Sequence, residues 1–196
     1  MIAFFSELFG PYPFDAYGIV VVDDFPGALE NQTLSLFGRN AVNEIIVVHE
    51  LAHQWFGNHV SPAQWRDIWL NEGFASYAEW LWIEATQGIE ALAVGITDER
   101  AFFASQGFPP PGAPPSTDLF NASVYRIGAM TLHALRLTIG DADFFETLRT
   151  YVARFGGGSA TTDDFIGVAE EVSGVELDDL FEAWLYGDTV PRFPLD

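Results

Sequence analysis

The chain has 196 residues, of which 49% are hydrophobic and only 18% are charged. This composition excludes an intrinsically disordered protein and predicts one domain, residues 1–196, with a substantial core. The formal net charge is −20, and no lysine or cysteine is present. A charge of this sign excludes an extended nucleic-acid interface and disfavours an anionic membrane surface, whereas it attracts cationic substrates. Solubility or salt tolerance accounts for the acidity equally well, and the lack of cysteine excludes disulfides and thiol nucleophiles.

The ends of the chain carry no targeting or membrane-spanning signal. No apolar run approaches the roughly 18 residues of a transmembrane helix. Residues 1–7 contain an acid and no base, unlike a signal peptide, and suggest the middle of a longer protein with an upstream domain. We therefore expect a soluble protein, cytoplasmic or secreted.

The first part of the chain predicts a short helix followed by two strands. Residues 2–9 favour a helix that Gly10 and Pro11 end. Residues 17–22 are apolar and β-branched, which predicts a buried strand, and a loop is expected over 23–28. Alternation of apolar and polar residues predicts a second strand over 29–37.

Most of the remaining chain predicts helices. Apolar residues at helical spacing indicate a helix over 41–56, with Asn40 as its N-cap, followed by a turn over 57–64. A loop over 105–121 contains too many prolines for a helix or a central strand. Further helices are predicted over 67–86, 90–104, 123–139, 142–155, 162–173 and 176–187. The expected fold class is α+β and helix-dominant, with a short N-terminal β part and a helical body.

The string His49-Glu50-Leu51-Ala52-His53 lies on the first long predicted helix. Histidines four residues apart lie one turn apart on the same face, so both imidazoles can reach one metal ion. Glu50 projects about 100° around the helix from His49, beside the metal, where its carboxylate can accept a proton from water. This is the HExxH arrangement of zinc hydrolases.

A catalytic zinc ion needs a third protein ligand and an open position. Glu72, 19 residues after His53, lies on the next predicted helix and can return to the metal. His59 is the alternative, at the place of the third histidine in H-E-x-x-H-x-x-G-x-x-H. That pattern requires glycine at position 56, where this chain has Phe56, so we favour Glu72.

Four motifs in order resemble the M1 family of zinc aminopeptidases, which are gluzincins with a thermolysin-like catalytic domain. Residues 49–58 and 65–75 match its zinc-binding motifs. Residues 27–31, Gly-Ala-Leu-Glu-Asn, resemble its G-x-M-E-N exopeptidase motif, with Leu29 in place of methionine. Residues 124–129 resemble its catalytic-tyrosine motif, with Arg126 where lysine is usual. The resemblance covers nearly the whole chain and lacks only the β-rich upstream domain and the helical C-terminal domain that many members carry.

The resemblance implies a role for each of these residues. His49, His53 and Glu72 would bind one Zn²⁺, Glu50 would act as general base, and Tyr125 would donate a hydrogen bond to the oxyanion. Glu30 would hold the α-ammonium of a peptide with a free amino terminus, and the backbone at Gly27 and Ala28 would pair with the substrate. Asn31, the last residue of the motif, would also belong to the substrate-binding set. Asp67 and Glu79 are both candidates to orient the histidines, and spacing does not choose between them.

The implied function is hydrolysis of N-terminal residues from peptides. Two alternatives remain open at this point. A zinc endopeptidase, or another zinc hydrolase on the same scaffold, would have a Glu30 with no role in binding amino termini. A folded but inactive fragment or interaction module would keep the fold without catalysis, although the intact HExxH and Glu72 set argues against it.

Overall fold

A computed structural model describes residues 1–194 of the chain. Its helices pack around α3 (Trp69–Gln87), in which every residue from Trp69 to Leu81 is buried. A helix that is covered on all sides in this way forms the centre of a core. The other helices are α1 (Ile2–Phe9), α2 (Glu44–Ala52), α4 (Ile89–Gln106), α5 (Ala122–Phe155), α6 (Thr162–Ser173) and α7 (Asp178–Phe181), the last continued by a π-helical turn, Glu182–Tyr186.

Two small sheets flank the helices. In the first, β1 (Gly18–Val22) is parallel to β3 (Leu34–Gly38), and β2 (Ala28–Leu29) is antiparallel to the other side of β3. In the second, β4 (Val60–Pro62) is parallel to β5 (Gly158–Ala160). Because β2 contacts α2, the first sheet brings the segment after β2 to the helix that carries the HExxH string.

An aromatic cluster fixes the turn that follows α2. The Trp55 indole donates hydrogen bonds to the carbonyls of Gly10 and Pro11, at 2.9 and 3.2 Å. The Phe9 ring packs edge-to-face against Trp55 and Phe56, with centroids 5.9 and 5.0 Å apart. Buried aromatic pairs of this geometry stabilise beyond their burial alone, so α1 anchors the end of the histidine-bearing helix.

The helix-dominant α+β prediction is confirmed, but the predicted bounds of the histidine-bearing helix are wrong. The helix begins at Glu44, and its N-cap is Asn43, whose side chain accepts the backbone N–H of Ile46 at 3.0 Å. It ends at Ala52, and irregular turns with their own hydrogen bonds follow as far as residue 59. An apolar period alone does not distinguish a helix from the buried turn after it.

The strand predictions also need correction. The strand predicted at residues 17–22 is not buried: β1 lies at the edge of its sheet, and its consecutive residues Ile19–Val22 are exposed, so neither face of the strand is covered. The predicted strand over 29–37 is two strands, separated by a turn at which Thr33 has a positive φ of 65°. The strands β4 and β5 were not predicted, because three residues each are too few to show the alternation of apolar and polar residues that indicates a strand.

The C-terminal helices agree closely with prediction. The expected break between 139 and 142 is Gly140, whose φ of 82° interrupts helical geometry within α5. Helix α6 has the predicted bounds and begins with a capping box between Thr161 and Asp164. Within the described residues, no helix combines the length and apolarity needed to cross a bilayer.

Candidate active site

Two histidines at the end of α2 and one glutamate of α3 come together in the wall of a cavity. The Nε2 atoms of His49 and His53 lie 3.3 and 3.4 Å from Oε2 of Glu72. All three residues are buried, and the two imidazole rings are nearly perpendicular, with centroids 4.7 Å apart. We call these residues the metal-binding cluster.

Helix geometry explains how the cluster forms. His49 lies in the last turn of α2, and His53 follows one turn later, immediately after the helix ends. The chain then forms β4 and a 3₁₀ turn, Trp65–Asp67, before α3 begins. Helix α3 packs against α2, and Glu72 lies in its first turn. The structure thus brings Glu72 to the two histidines.

His59 lies elsewhere. Its backbone carbonyl accepts the N–H of Gly157, and its ring lies edge-on to Phe14. Among the described residues, the groups of ligand-type side chains close enough to share a metal ion do not include His59.

The remaining nitrogen of each imidazole has a hydrogen-bond partner on α3. Nδ1 of His49 lies 2.8 Å from Oε1 of Glu79, and Nδ1 of His53 lies 2.8 Å from Oδ1 of Asn71. These contacts fix each ring with Nε2 facing Glu72, as is usual for metal-binding histidines. Between the two candidates for this role, Glu79 makes the contact, whereas Asp67 accepts the hydroxyl of Thr162 on α6 at 2.9 Å.

Glu50 lies beside the cluster rather than within it. Its Oε2 is buried and has no hydrogen-bond partner among the described residues. Burial raises the pKa of Glu50 to about 7, against the opposing effect of His53 and His49. A carboxylate with this environment exchanges a proton easily near neutral pH.

Tyr125 faces the cluster from α5, with its ring nearly parallel to that of His49 and the centroids 6.0 Å apart. Burial, together with Glu72, raises the pKa of Tyr125, so the phenol keeps its proton and can donate. A close crossing of α3 and α5 sets this position. A Cβ on Gly128 would lie 3.0 Å from the Cα of Gly73, so only two glycines allow the backbones to approach this closely.

Glu30 follows β2 and lies across the same cavity from the cluster. Its carbonyl accepts the side-chain amides of Asn58 and Gln54, at 2.7 and 3.4 Å, and Nδ2 of Asn71 donates to its carboxylate at 3.1 Å. Oxygens of Glu30 and Glu50 and a nitrogen of His53 lie within 4.8 Å of one another. We call Ala28–Glu30 the amine arm.

The other residues of the 27–31 motif contribute differently. Ala28 lines the cavity with Glu30. Gly27 lies just outside it, and its carbonyl accepts the N–H of Gly38 at 2.7 Å. Asn31 is exposed, and its carbonyl accepts the N–H of Leu34, which closes the turn into β3.

Two cavities meet at the amine arm. One, of about 440 Å³, contains the metal-binding cluster, Glu50 and Tyr125. The other, of about 570 Å³, has the apolar residues Trp65, Ile68 and Phe120 in its wall. Leu29, Glu30 and Phe120 line both. Sequence reasoning did not identify Trp65 or Phe120, because exposed aromatic residues at a turn and in a proline-rich loop carry no periodic signal.

Carboxylates dominate the charge of the first cavity, which contains Glu30, Glu50, Glu72 and Glu79. Although burial disfavours the charged imidazole, Glu72 and the other carboxylates raise the pKa of His53 to about 10. Burial likewise favours neutral Glu72, but the two histidines outweigh it and lower its pKa to about 2. A dication would replace these protons as the partner of the carboxylates.

The metal-binding cluster fits a zinc ion. Tetrahedral coordination with bonds of about 2.0–2.2 Å separates neighbouring ligand atoms by roughly 3.3–3.5 Å. The nitrogen-to-oxygen distances of 3.3 and 3.4 Å agree with that spacing. Two imidazoles and one carboxylate form a typical catalytic zinc set, and the unpartnered oxygen of Glu50 lies beside it.

The family model and the sequence relatives that match this chain all belong to M1 peptidases or are named aminopeptidases. The model of the peptidase family M1 domain matches residues 1–106 and 113–184. Aminopeptidase M1-A of Oryza sativa subsp. japonica is 32% identical over 92% of this chain, and human aminopeptidase B is 33% identical over 82%. The chain spans only 23% and 28% of the lengths of these two relatives.

Solved structures agree. A mutant M1 zinc metallopeptidase from Deinococcus radiodurans, bound to a Tyr-Ser-Ala substrate, superposes with a TM-score of 0.89 and 38% identity. The superposition covers 96% of this chain and 43% of the Deinococcus chain. LTA4 hydrolase from yeast is more distant, with a TM-score of 0.80 and 25% identity. On the extent of the family match and on these relatives, the chain belongs to peptidase family M1.

Proposed function

We propose that this chain is the catalytic domain of a zinc aminopeptidase that removes residues from the free amino termini of peptides. The observation that carries the proposal is the position of Glu30. A carboxylate oxygen of Glu30 lies within 4.8 Å of an oxygen of Glu50 and a nitrogen of His53, and His49 and Glu72 line the same cavity. An ammonium held there lies about one residue from the hydrolysed bond, so cleavage is limited to the first peptide bond.

His49, His53 and Glu72 would hold the zinc ion. Zinc at this position supplies Lewis acidity, which lowers the pKa of a water molecule and polarises the carbonyl of the scissile bond. Glu79 and Asn71 hold the two imidazoles in the orientation that directs Nε2 to the ion.

Glu50 would move the proton. Its buried Oε2 has no hydrogen-bond partner among the described residues and is free to accept a proton from the attacking water. The same oxygen then delivers that proton to the departing amine, which needs it to leave as a neutral group. Tyr125, protonated and facing the cavity, would donate its hydroxyl to the oxyanion that develops on the carbonyl.

The amine arm would bind the substrate. Glu30 holds the ammonium, and the backbone at Gly27 and Ala28 lies alongside the peptide in the manner of an added strand, with Asn31 closing the turn. The ammonium and the first side chain share one Cα, so the cavity lined by Trp65, Ile68 and Phe120 is the place for an apolar first residue.

The remainder of the parent protein is also a proposal. The relatives are about four times as long as this chain, and we infer that an upstream domain completes the substrate site. The expected partners are peptides with a free amino terminus. The net charge of −20 draws in such cations and opposes binding to nucleic acid.

The proposal is tested with one peptide in free and N-acetylated forms, cleaved by zinc-loaded wild type and by Glu30→Ala. A charge-assisted hydrogen bond to the ammonium contributes about 1.5–3 kcal/mol, so Glu30→Ala should lose about 10- to 150-fold in kcat/KM for the free peptide. Glu90→Ala removes an exposed acid on α4 and serves as the charge-matched control.

Wild type should cleave only the free form, and Glu90→Ala should behave like wild type. Equal cleavage of both forms by wild type would support the endopeptidase alternative instead. Zinc binding without hydrolysis of either form, in a protein that includes the upstream domain, would support the inactive-module alternative.

A further inference from the structure

Behind the metal-binding cluster, Arg126 lies between two carboxylates from different helices. Its Nη1 donates to Oε2 of Glu79 on α3 at 2.9 Å, and its Nε lies 3.7 Å from Oε1 of Glu99 on α4. The Glu79 side chain is only 10% exposed, whereas those of Arg126 and Glu99 are 32% and 34% exposed. The pair with Glu79 is therefore the more buried of the two.

The other oxygen of Glu79 is the one that contacts Nδ1 of His49, at 2.8 Å. Glu79 therefore bridges a guanidinium and a candidate metal ligand, with one oxygen for each. A carboxylate held at both oxygens has one allowed position, and that position determines how the His49 ring presents Nε2.

Free space beside Glu79 gives Arg126 a specific task. A cavity of about 320 Å³ has Glu79, Arg126 and Glu99 in its wall, together with apolar side chains of α2, α3 and α4. Without the guanidinium, the Glu79 carboxylate has room to rotate towards this cavity and solvent. The His49 imidazole would then lose the contact that fixes its orientation.

We propose that Arg126 is a positioning residue, which locks Glu79 against His49 and thereby raises the affinity of the metal-binding cluster for zinc. Glu99 assists by holding the guanidinium from the α4 side. The planar fork of arginine can face two carboxylates at once, which the single ammonium of lysine cannot do equally well. The inference rests on the proposed zinc site.

The test measures zinc affinity by competition with a chelator, for the folded protein and for four variants. Arg126→Gln should bind zinc about 10- to 100-fold more weakly, the usual loss when the partner of a metal-binding histidine is disturbed. Arg126→Lys keeps a cation near Glu79 and should recover most of that loss. Glu99→Gln should weaken binding by about 2- to 5-fold, since its pair with Arg126 is long and partly exposed.

The control is Arg154→Gln, which removes an equal charge from an exposed pair with Glu171 and should leave affinity unchanged. The visible spectrum of the Co²⁺-substituted protein gives a second readout, because a reoriented His49 changes the ligand field. It should differ from wild type in Arg126→Gln and not in Arg154→Gln.

Wild-type affinity and an unchanged Co²⁺ spectrum in Arg126→Gln would overturn the inference, as would tighter binding. Equal losses in Arg126→Gln and Arg154→Gln would also overturn it, since the loss would then not depend on the contact with Glu79. Failure of wild type to bind zinc at all would instead overturn the proposed zinc site, so the two failures are distinguishable.

Discussion

The metal-binding cluster and the amine arm face each other across one cavity but are built differently. The cluster comes from the last turn of α2, the residue that follows it and the first turn of α3, and all three residues are buried. The amine arm is a two-residue strand and the residue after it, with Leu29 exposed and Glu30 half-buried. Three side-chain amides, of Gln54, Asn58 and Asn71, hold Glu30 in place.

In the proposed mechanism, this difference separates chemistry from recognition. The helix core would hold the groups that must keep a fixed spacing around one ion, where an error of about 1 Å costs up to 100-fold in rate. The amine arm pairs with β3 and is held by side-chain amides of the turn after α2 and of α3. We therefore expect variants in the cluster to affect turnover or metal binding, and variants in the arm to affect the preference for a free amine.

The largest effect is expected at Glu50, next to the cluster. Glu50→Gln keeps the size of the side chain but cannot accept a proton, so kcat should fall by about 10²–10⁴-fold. Zinc content, measured by metal analysis, should stay at one ion per chain because the three proposed ligands, His49, His53 and Glu72, are unchanged. Loss of zinc in this variant would show that Glu50 holds the ion or the fold.

The second-largest loss of activity is expected for a substitution of Tyr125. Tyr125→Phe retains the ring that packs near His49 and removes only the hydroxyl. Loss of one oxyanion donor should lower kcat by about 10²–10³-fold, with zinc affinity and KM nearly unchanged. Steady-state kinetics on a short peptide measures both constants. Turnover close to that of wild type would leave Tyr125 with a packing role only.

The predictability of the two regions follows from their construction. His49 and His53 are one helical turn apart, because His53 keeps helical φ and ψ as the C-cap of α2, so the sequence alone indicated their shared face. The position of Glu72 near the histidines was also predictable, because it needs only a turn and a second helix that packs against the first. By contrast, nothing local indicates that Asn58 and Gln54 bind the carbonyl of Glu30, because those contacts join segments 24 and 28 residues apart.

The choice between Asp67 and Glu79 shows the same limit. Asp67 lies in the turn before α3 and Glu79 lies within α3, and both are buried acids. Only the packing of α3 against α2 and α6 decides that Glu79 meets His49 while Asp67 meets Thr162. The edge position of β1 could not be predicted either, because an apolar run indicates a strand but not how many neighbouring strands pair with it.

Asn71 joins the two regions and allows them to be separated. Its Oδ1 contacts Nδ1 of His53, and its Nδ2 donates to Glu30 at 3.1 Å and to Oε1 of Glu72 at 3.2 Å. Asn71→Asp keeps an acceptor for His53 but replaces the donor to both glutamates with a like charge, which a zinc ion bound at Glu72 would offset on the cluster side. The preference for a free over an acetylated amino terminus should fall about 10-fold, while zinc affinity stays within a factor of a few.

Asn71→Ala is the matched comparison, because it removes the contacts to His53, Glu30 and Glu72 and should weaken zinc binding as well. The pair of variants is read out by the same chelator competition and by cleavage of free and acetylated peptide. Equal effects of the two substitutions on zinc affinity would mean that the regions are not separable at this residue.

The smallest effect is expected at the crossing of α3 and α5, which sets the separation of the cluster from Tyr125. Gly73 directly follows Glu72, and Gly128 lies three residues after Tyr125. A Cβ at position 128 would contact the Gly73 backbone at 3.0 Å, so Gly128→Ala should push the helices apart by several tenths of an ångström. Overpacking of this kind costs about 1–3 kcal/mol, against a gain of up to about 1 kcal/mol from the better helix propensity of alanine.

Gly167→Ala on α6 is the control, because a Cβ there meets no atom within 4 Å. Urea denaturation should show Gly128→Ala to be less stable than wild type by about 1–2 kcal/mol and Gly167→Ala to be more stable by about 0.5–1 kcal/mol. The displaced Tyr125 should lower kcat by up to about 10-fold in Gly128→Ala alone, because the hydroxyl no longer meets the oxyanion at its best distance. If both substitutions stabilise equally and leave kcat unchanged, the glycine contact does not determine where Tyr125 lies.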